Sequence, residues 1–365
     1  MSDQPVVPAT SGVSTVFIGS GAFAIPVLDA LVAAPEVRLA GVVTAPPRPA
    51  GRGERLRRSP IAERASALGI VPILEPRRLR APSAVAEIEA LHPGLLVLAD
   101  YGQMVPRVLL DLPAHGALNL HPSLLPRHRG ASPVAATILA GDRQTGVTLM
   151  LMDEGLDTGP VVAQVAVPLG GDETAPGLEA LLAAEGAELL RTVLGEWLGG
   201  RRAARAQSPE GATMTRPLRR EDGRLDPSRD AVQLERQVRA YQPWPGTWAE
   251  SVAGRLIVWG ARPLTLGSTT GAGVRASGAS TRASGADGLA PGTGAAPGMG
   301  AAPRGAGAIL GLIVPDDGGL AVLVADGALR IEEAQLAGAR RMTAAELRRG
   351  HPELVGSRLG APALP

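Results

Sequence analysis

An asparagine and a histidine close a short apolar run, Ala117-Leu-Asn-Leu-His121. If that run is a strand, Asn119 and His121 leave it on the same face, because side chains alternate along an extended chain. Together they offer an amide donor and a titratable imidazole, a pair able to hold a developing oxyanion and move a proton. A lone histidine is more often a satisfied structural residue; the shared face is what lifts this one above that reading. Further on, Asp153 and Asp157 flank Gly155 in Met152-Asp-Glu-Gly-Leu-Asp-Thr-Gly159. Turn chemistry explains many such Asp/Gly-rich loops. No neighbouring acidic cluster completes a set of cation ligands, so no metal is expected here.

These residues need elements to carry them. Apolar runs at 13–18, 37–43, 95–98, 117–121 and 146–152 read as buried strands, and 23–33, 60–68, 83–91 and 175–198 carry helical spacing. In the last helix Leu178, Leu181, Leu182, Leu189, Val193 and Trp197 fall near one face, and Gly199-Gly200 ends it. The alternation predicts a Rossmann-like α/β domain, a mostly parallel sheet with helices on both faces. After Gly200 the pattern breaks. Residues 204–230 read as a linker. A short helix from Ala231, the turn Tyr241-Gln-Pro-Trp-Pro-Gly246 and strand-like runs at 255–259, 308–314, 320–324 and 328–331 predict a small β-rich second domain. Core packing is the expected role of Trp244 and Trp248. Residues 267–307 are nearly all Gly, Ala, Ser, Thr, Pro and Arg and predict a disordered insertion. The domain reading is thus a tail at 1–12, a catalytic domain at 13–203, the linker, a second domain at 231–352 and a tail at 353–365.

Composition removes several chemistries. The 365 residues include no cysteine, and all 36 basic residues are arginines. Thiol nucleophiles, zinc thiolate sites, lysine Schiff bases and a P-loop lysine are excluded. The formal net charge is +1, so contact with nucleic acid must come from local patches. No apolar run is long enough to span a bilayer and the first residues do not read as a signal peptide; a cytoplasmic protein is expected.

The loop Gly19-Ser-Gly21-Ala-Phe-Ala24 is a passable dinucleotide fingerprint. The acidic residue such a site needs at the end of the second strand is missing, since Val43 is followed by Thr44-Ala45-Pro46. A tight strand-to-helix turn is favoured over NAD.

Asn119-x-His121, Ser123-Leu-Leu-Pro-Arg-His-Arg-Gly130 and Asp157 in its Leu-Asp-Thr-Gly turn resemble the folate-dependent formyltransferases. Four more stretches, at 48–60, 101–106, 241–246 and 336–350, are similar to the bacterial enzymes of that family that formylate methionyl-tRNA. The resemblance implies a formyltransferase domain followed by a small OB-like barrel lying along the RNA. It implies transfer of a formyl group from 10-formyltetrahydrofolate to the methionine amine of initiator tRNA, with no metal and no NAD, in a monomer. It makes Asn119, His121 and Asp157 catalytic. It places folate along Tyr101, Gly102, Val105, Ser123, Leu124, Leu125, Pro126, Met152 and Asp153. It places the acceptor end of the tRNA near Phe23, Arg48, Arg52, Arg55, Arg127 and Arg129. Two departures stand out: the family usually has Gly-Thr-Pro where this chain has Gly19-Ser20-Gly21, and a small or apolar residue where Asp100 stands. Formyl transfer to a sugar nucleotide or another small amine, and hydrolysis of formyl-folate, remain the rival readings.

Overall fold

The computed structural model describes residues 12–50, 55–264 and 310–360, so the expected insertion at 267–307 and both extreme tails lie outside the described residues. The chain divides into two compact units, Met1–Leu218 and Arg219–Pro365.

In the first unit the elements run β1 (Val13–Gly19), α1 (Ala24–Ala33), β2 (Val37–Val43), β3 (Arg48–Ala50), β4 (Arg55–Arg57), α2 (Pro60–Ala67), β5 (Ile73–Leu74), α3 (Pro82–Glu89), β6 (Leu95–Ala99) and α4 (Arg107–Leu110). Then come β7 (Ala117–His121), β8 (Arg129–Gly130), α5 (Pro133–Ala140), β9 (Gln144–Leu151), β10 (Val161–Pro168), α6 (Ala175–Leu198) and β11 (Met214–Thr215). The main sheet has the order β10-β9-β7-β6-β1-β2-β5. The five strands from β7 to β5 are parallel; β9 runs antiparallel to β7, and β10 antiparallel to β9. Strands covered on both faces need apolar residues at every position. Accordingly Val16, Phe17 and Ile18 of β1 and Leu95, Leu96 and Val97 of β6 are fully buried. At the edge, β10 alternates buried and accessible positions instead.

α6 packs through Leu178, Leu182, Leu190 and Val193, with Gly186 passing close to Leu120 and Val147. Leu181, expected on the same face, is exposed. The helix contacts the sheet along a stripe spaced by about four residues, and Leu181 falls outside it. The stretch read as a linker is not one throughout. Arg205 exchanges backbone hydrogen bonds with Val161, and β11 pairs in parallel with β8. Residues 205–215 therefore form a strap fastened to the first unit.

The second unit contains α7 (Ala231–Ala240), β12 (Thr247–Ser251), β13 (Gly254–Leu264), β14 (Ile313–Asp316), β15 (Gly319–Val324), β16 (Gly327–Leu336), β17 (Met342–Thr343) and α8 (Ala344–Gly350). Asp230 caps α7 by accepting the N–H of Gln233, and Thr343 with Glu346 forms a capping box on α8. The sheet is antiparallel, in the order β12-β13-β16-β15-β14, with β17 on β16. Its open edges are joined by a segment expected to be a free tail. Ile313 and Gly356 bond Ser357 and Ile313 through N–H donors, Leu359 N–H donates to Gly311, and Gly360 N–H reaches the carbonyl of Glu250 at 2.7 Å. Leu354 is fully buried in the core with Leu234, Leu256, Leu329 and Leu347. The C-terminal boundary accordingly moves from 352 to at least 360, and the ring of strands is OB-like through this closure. Trp244 is 55% exposed rather than in the core. Trp248 lies under the Arg255 guanidinium, 4.4 Å from the ring centre.

Candidate active site

β7 lies between β6 and β9, with Asn119 opposite Leu98 and Met150, and His121 opposite Thr148. The strand's alternation sets Asn119 and His121 on one side, as its spacing predicts. Asn119 is half-buried, and its side-chain amide is bonded to none of the described residues. His121 is almost fully buried. Its Nε2 lies 2.9 Å from the carbonyl oxygen of His128. A carbonyl can only accept, so Nε2 carries the proton and the neutral ring keeps its lone pair on Nδ1. Nδ1 faces Asp157 Oδ2 at 3.5 Å.

Burial lowers the pKa of His121 and outweighs the opposing influence of Asp157 and of the His128 carbonyl. The ring is thus neutral near pH 7, with a carboxylate beside the nitrogen that would receive a proton. Asp157 stands on the loop after β9 with φ of +54°, in the left-handed region that costs a non-glycine residue strain. Its Oδ2 also accepts the N–H of Gly130 at 2.7 Å. This arrangement can move a proton to or from a reacting group, with an amide donor available close along the same strand.

The loop after β7 is held from within. Thr148 Oγ1 accepts the N–H of Leu125 at 3.0 Å and donates to the carbonyl of Ser123 at 2.7 Å. Gln164 donates to the Leu125 carbonyl and to Thr148 Oγ1, both at 2.9 Å. The Leu125–Pro126 bond is cis.

A cleft of about 360 Å³ opens at the carboxyl ends of β1, β2 and β6, lined among others by Ser20, Gly21, Arg48, Arg57, Asp100 and Tyr101. Ser20 Oγ accepts the N–H of Ala45 at 3.0 Å, tying the end of β1 to that of β2. A side chain at Gly21 would start 1.7 Å from Asp100 Oδ2. Burial raises the pKa of Asp100. A carboxylate at this corner opposes the pyrophosphate that a dinucleotide would lay there. Among the described residues no cluster of three His, Asp or Glu side chains could hold a metal ion.

Comparison with known proteins decides the family. The formyl transferase family matches residues 13–194, and its C-terminal domain matches residues 217–352. A methionyl-tRNA formyltransferase of Roseiflexus castenholzii is 39% identical over 345 residues, spanning 94% of this chain and 98% of the relative. This chain belongs to the formyl transferase family. A methionyl-tRNA formyltransferase of Paramagnetospirillum magneticum is 38% identical to this formyltransferase over 346 residues, 94% of this chain and 99% of the relative. Among solved structures, HypX from Aquifex aeolicus in complex with tetrahydrofolic acid shares the fold. Its TM-score is 0.56 at 16% identity, covering 94% of this chain and 48% of that one. The N-formyltransferase from Helicobacter canadensis, solved with folinic acid and dTDP-3-aminofucose, gives 0.53 at 14% identity, over 90% and 100%.

The other residues singled out in this formyltransferase's sequence fall into distinct places. Ser123 is fully buried and donates to the Arg127 carbonyl at 2.6 Å; Leu125 is buried, and Leu124 is half-buried beside Gly146. Their side chains anchor the loop, and most of its backbone groups are bonded within the unit. Pro126 is half-buried. Val105 belongs to the core cluster under β6, and Tyr101 and Met152 pack against that cluster. Burial pushes the Tyr101 phenol up to about 12, and its oxygen accepts from Gln103 Nε2 at 3.2 Å. Gly102 opens onto free space. Asp153 Oδ1 accepts from Gly155 N–H and from Thr158 Oγ1, so it builds the turn that carries Asp157.

On the acceptor side, Phe23 is buried against α6 rather than exposed to a substrate. Arg127 forks onto Asp142, and Arg129 onto the Gln207 oxygen, so both guanidinium groups are engaged within the unit. Arg48 stands in the cleft, across from Arg57 in the β3–β4 pair. Arg52 and the Arg55 side chain lie outside the described residues. Sequence reasoning missed Thr148, Gln164, Gln207 and Thr213. Each acts mainly on backbone groups of another segment, which leaves no periodic trace; a threonine buried within the apolar run of β9 was the one signal, and it points to Thr148 alone.

Proposed function

We propose that this formyltransferase moves the formyl group of 10-formyltetrahydrofolate to the α-amine of methionine on initiator tRNA. The observation that carries the reading is the buried His121–Asp157 pair, with His121 on the strand face it shares with Asn119, whose amide is bonded to none of the described residues. The names of relatives matching nearly the whole chain support methionyl-tRNA as the acceptor.

A free α-amine has a pKa of roughly 8, so a useful fraction is neutral and nucleophilic near pH 7. Its nitrogen bonds to the formyl carbon, and the formyl oxygen takes the negative charge. Asn119 donates to that oxygen and so favours the tetrahedral state over the planar one. The new ammonium gives up a proton through water to Asp157, and His121 relays a proton toward the formyl oxygen or the leaving nitrogen. The bond from carbon to N10 then breaks, and that nitrogen leaves with a proton. No covalent enzyme intermediate is required, consistent with a chain lacking Cys and Lys.

Folate would lie along Tyr101–Val105 and the 123–126 loop, with 152–157 beside the pterin. The RNA end would meet Arg48, Arg57 and the Arg52 loop, whose phosphate contacts make binding salt-dependent. The second unit would lie along the tRNA. No described helix is long and apolar enough to cross a membrane, and the reading places a monomer in the cytoplasm.

The test is incubation of the pure protein with formyl-folate and methionyl-initiator tRNA, then ester hydrolysis and a search for acid-stable formylmethionine. Product confirms the assignment. Formyl transfer only to an amino-sugar nucleotide, or free formate without acceptor, replaces it with one of the rivals.

A further inference from the structure

The strap at 205–215 touches each group that fixes the His121–Asp157 pair. Gln207 Nε2 donates to the carbonyl of Asp157 at 2.8 Å and to that of Gly159 at 2.7 Å. Its Oε1 accepts from both Nε and Nη2 of Arg129, at 3.0 and 2.7 Å. One side-chain amide thus spends its whole hydrogen-bonding capacity joining the loop after β7 to the loop after β9. The other Asp157 anchor, the N–H of Gly130, belongs to β8, which β11 of the strap pairs. Gly130 is pressed so close that a Cβ there would lie 2.2 Å from the Thr215 carbonyl oxygen. Thr215 Oγ1 also donates to the Arg129 carbonyl and accepts the N–H of Ser132. The far side of His121 is reached as well. His128, whose carbonyl holds the Nε2 proton, has its own N–H on Thr213 Oγ1 at 2.8 Å.

A left-handed aspartate persists only where its surroundings over-determine it. The groups that do so at Asp157 are the Gln207 amide on its carbonyl and the Gly130 N–H on its carboxylate. Both are held from the strap. We propose that Gln207 is a positioning residue for formyl transfer: by clamping Asp157 and Gly159 against Arg129 it sets the carboxylate facing His121 Nδ1. The proposal rests on the formyl-transfer reading of this site.

The charged or titratable groups facing the His121 ring are Asp157 on the Nδ1 side and His128 on the other, the latter bonded to Asp142. Asp157 raises the affinity of the ring for a proton. If the clamp is cut and the carboxylate drifts, that support fades and the ring titrates at still lower pH.

The experiment compares wild type, Gln207→Met and Gln207→Glu in steady-state formylation across pH, with thermal unfolding in parallel. Gln207→Met keeps the length and removes all four hydrogen bonds. Gln207→Glu keeps acceptors for Arg129 and loses both donations to the carbonyls. Both variants should lose about ten- to a hundredfold in kcat, the cost typical of small misplacement in a catalytic constellation. KM for folate and for RNA should stay within about threefold, and the acid limb of the rate profile should move to lower pH. Wild-type kcat in Gln207→Glu would overturn the proposal, because the Arg129 contact alone would then suffice. So would a loss of rate in both variants that matches loss of folded protein with the acid limb unmoved. Absence of formyl transfer by the wild type would instead refute the function itself.

Discussion

Replacing Asp157 by Asn removes one charge and little else. Asparagine keeps an oxygen for the Gly130 N–H and is among the few residues that tolerate φ of +54°. The fold should therefore survive. The lost charge sits 3.5 Å from Nδ1 of His121. At an effective dielectric constant of about 20, unit charges at that separation attract by roughly 5 kcal/mol. The Asp157 side chain is 12% exposed, so water entering the site returns part of this. If roughly 3–4 kcal/mol is expressed in the transition state, kcat falls by about 10²- to 10³-fold. The sign of the pH effect follows from the same charge. Burial already holds His121 below its ordinary pKa and Asp157 opposes that. Without the carboxylate the ring takes a proton only at still lower pH, and the acid limb of kcat moves down. The assay is formylation of methionyl-tRNA at saturating folate over about pH 5 to 9, with unfolding temperature as the control. A variant with kcat within about threefold of wild type and an unmoved limb would refute the role given to this pair.

The buried neutral histidine also affects stability. With its folded pKa depressed, its contribution is complete above the ordinary value near 6.5 and is lost as pH falls toward the folded value. Urea midpoints should drop over that window in wild type and less in His121→Gln; equal slopes would show that another group is responsible. Thr148→Val strips the buried Leu125 N–H and the Gln164 amide of their acceptor and should cost about 1–3 kcal/mol in urea unfolding. A change below about 0.5 kcal/mol would mean that water or a rearranged Gln164 takes its place. Gly21→Ala pushes a methyl into Asp100 Oδ2; it should raise the KM of an acceptor bound in the cleft, and Asp100→Ala in the same chain should reverse the effect. Simple additivity of the two would deny their contact. Leu354→Ala should destabilise the second unit by about 2–5 kcal/mol, measured by calorimetry; an unchanged unfolding temperature would return this residue to a free tail.

The parallel core was legible because a strand covered on both faces has to be apolar throughout, and β1, β2, β6 and β7 announce themselves that way. Asn119 and His121 were legible for the opposite reason: polar residues at alternate positions in such a run break the rule. Asp157 drew attention through its turn, but its partnership with His121 depends on a reversal of direction at β9, which no local pattern encodes. α5 was hidden because its Val-Ala-Ala-Thr-Ile-Leu-Ala stretch is buried on most sides and lacks a polar stripe. The strap was hidden more deeply. Its side chains serve distant carbonyls, and β11 is a two-residue strand, so a stretch without periodicity read as a connector. Arg127 and Arg129 stand out in the sequence by charge alone, and their bonds to Asp142 and Gln207 could not be read there. Gly21 and Asp100, two separate oddities in sequence, become one feature in space: the absent side chain of the first makes room for the carboxylate of the second.

The last stave of the second unit has a consequence for biosynthesis. Glu250 and Gly360, joined through a single amide, leave the ribosome far apart in time. Until residues 356–360 emerge, Ile313 of β14 and the Glu250 carbonyl of β12 lack these partners, and unpaired strand edges are surfaces through which nascent sheets pair with the wrong neighbour. A chain stalled before that segment would therefore be a better client for a chaperone than a completed one.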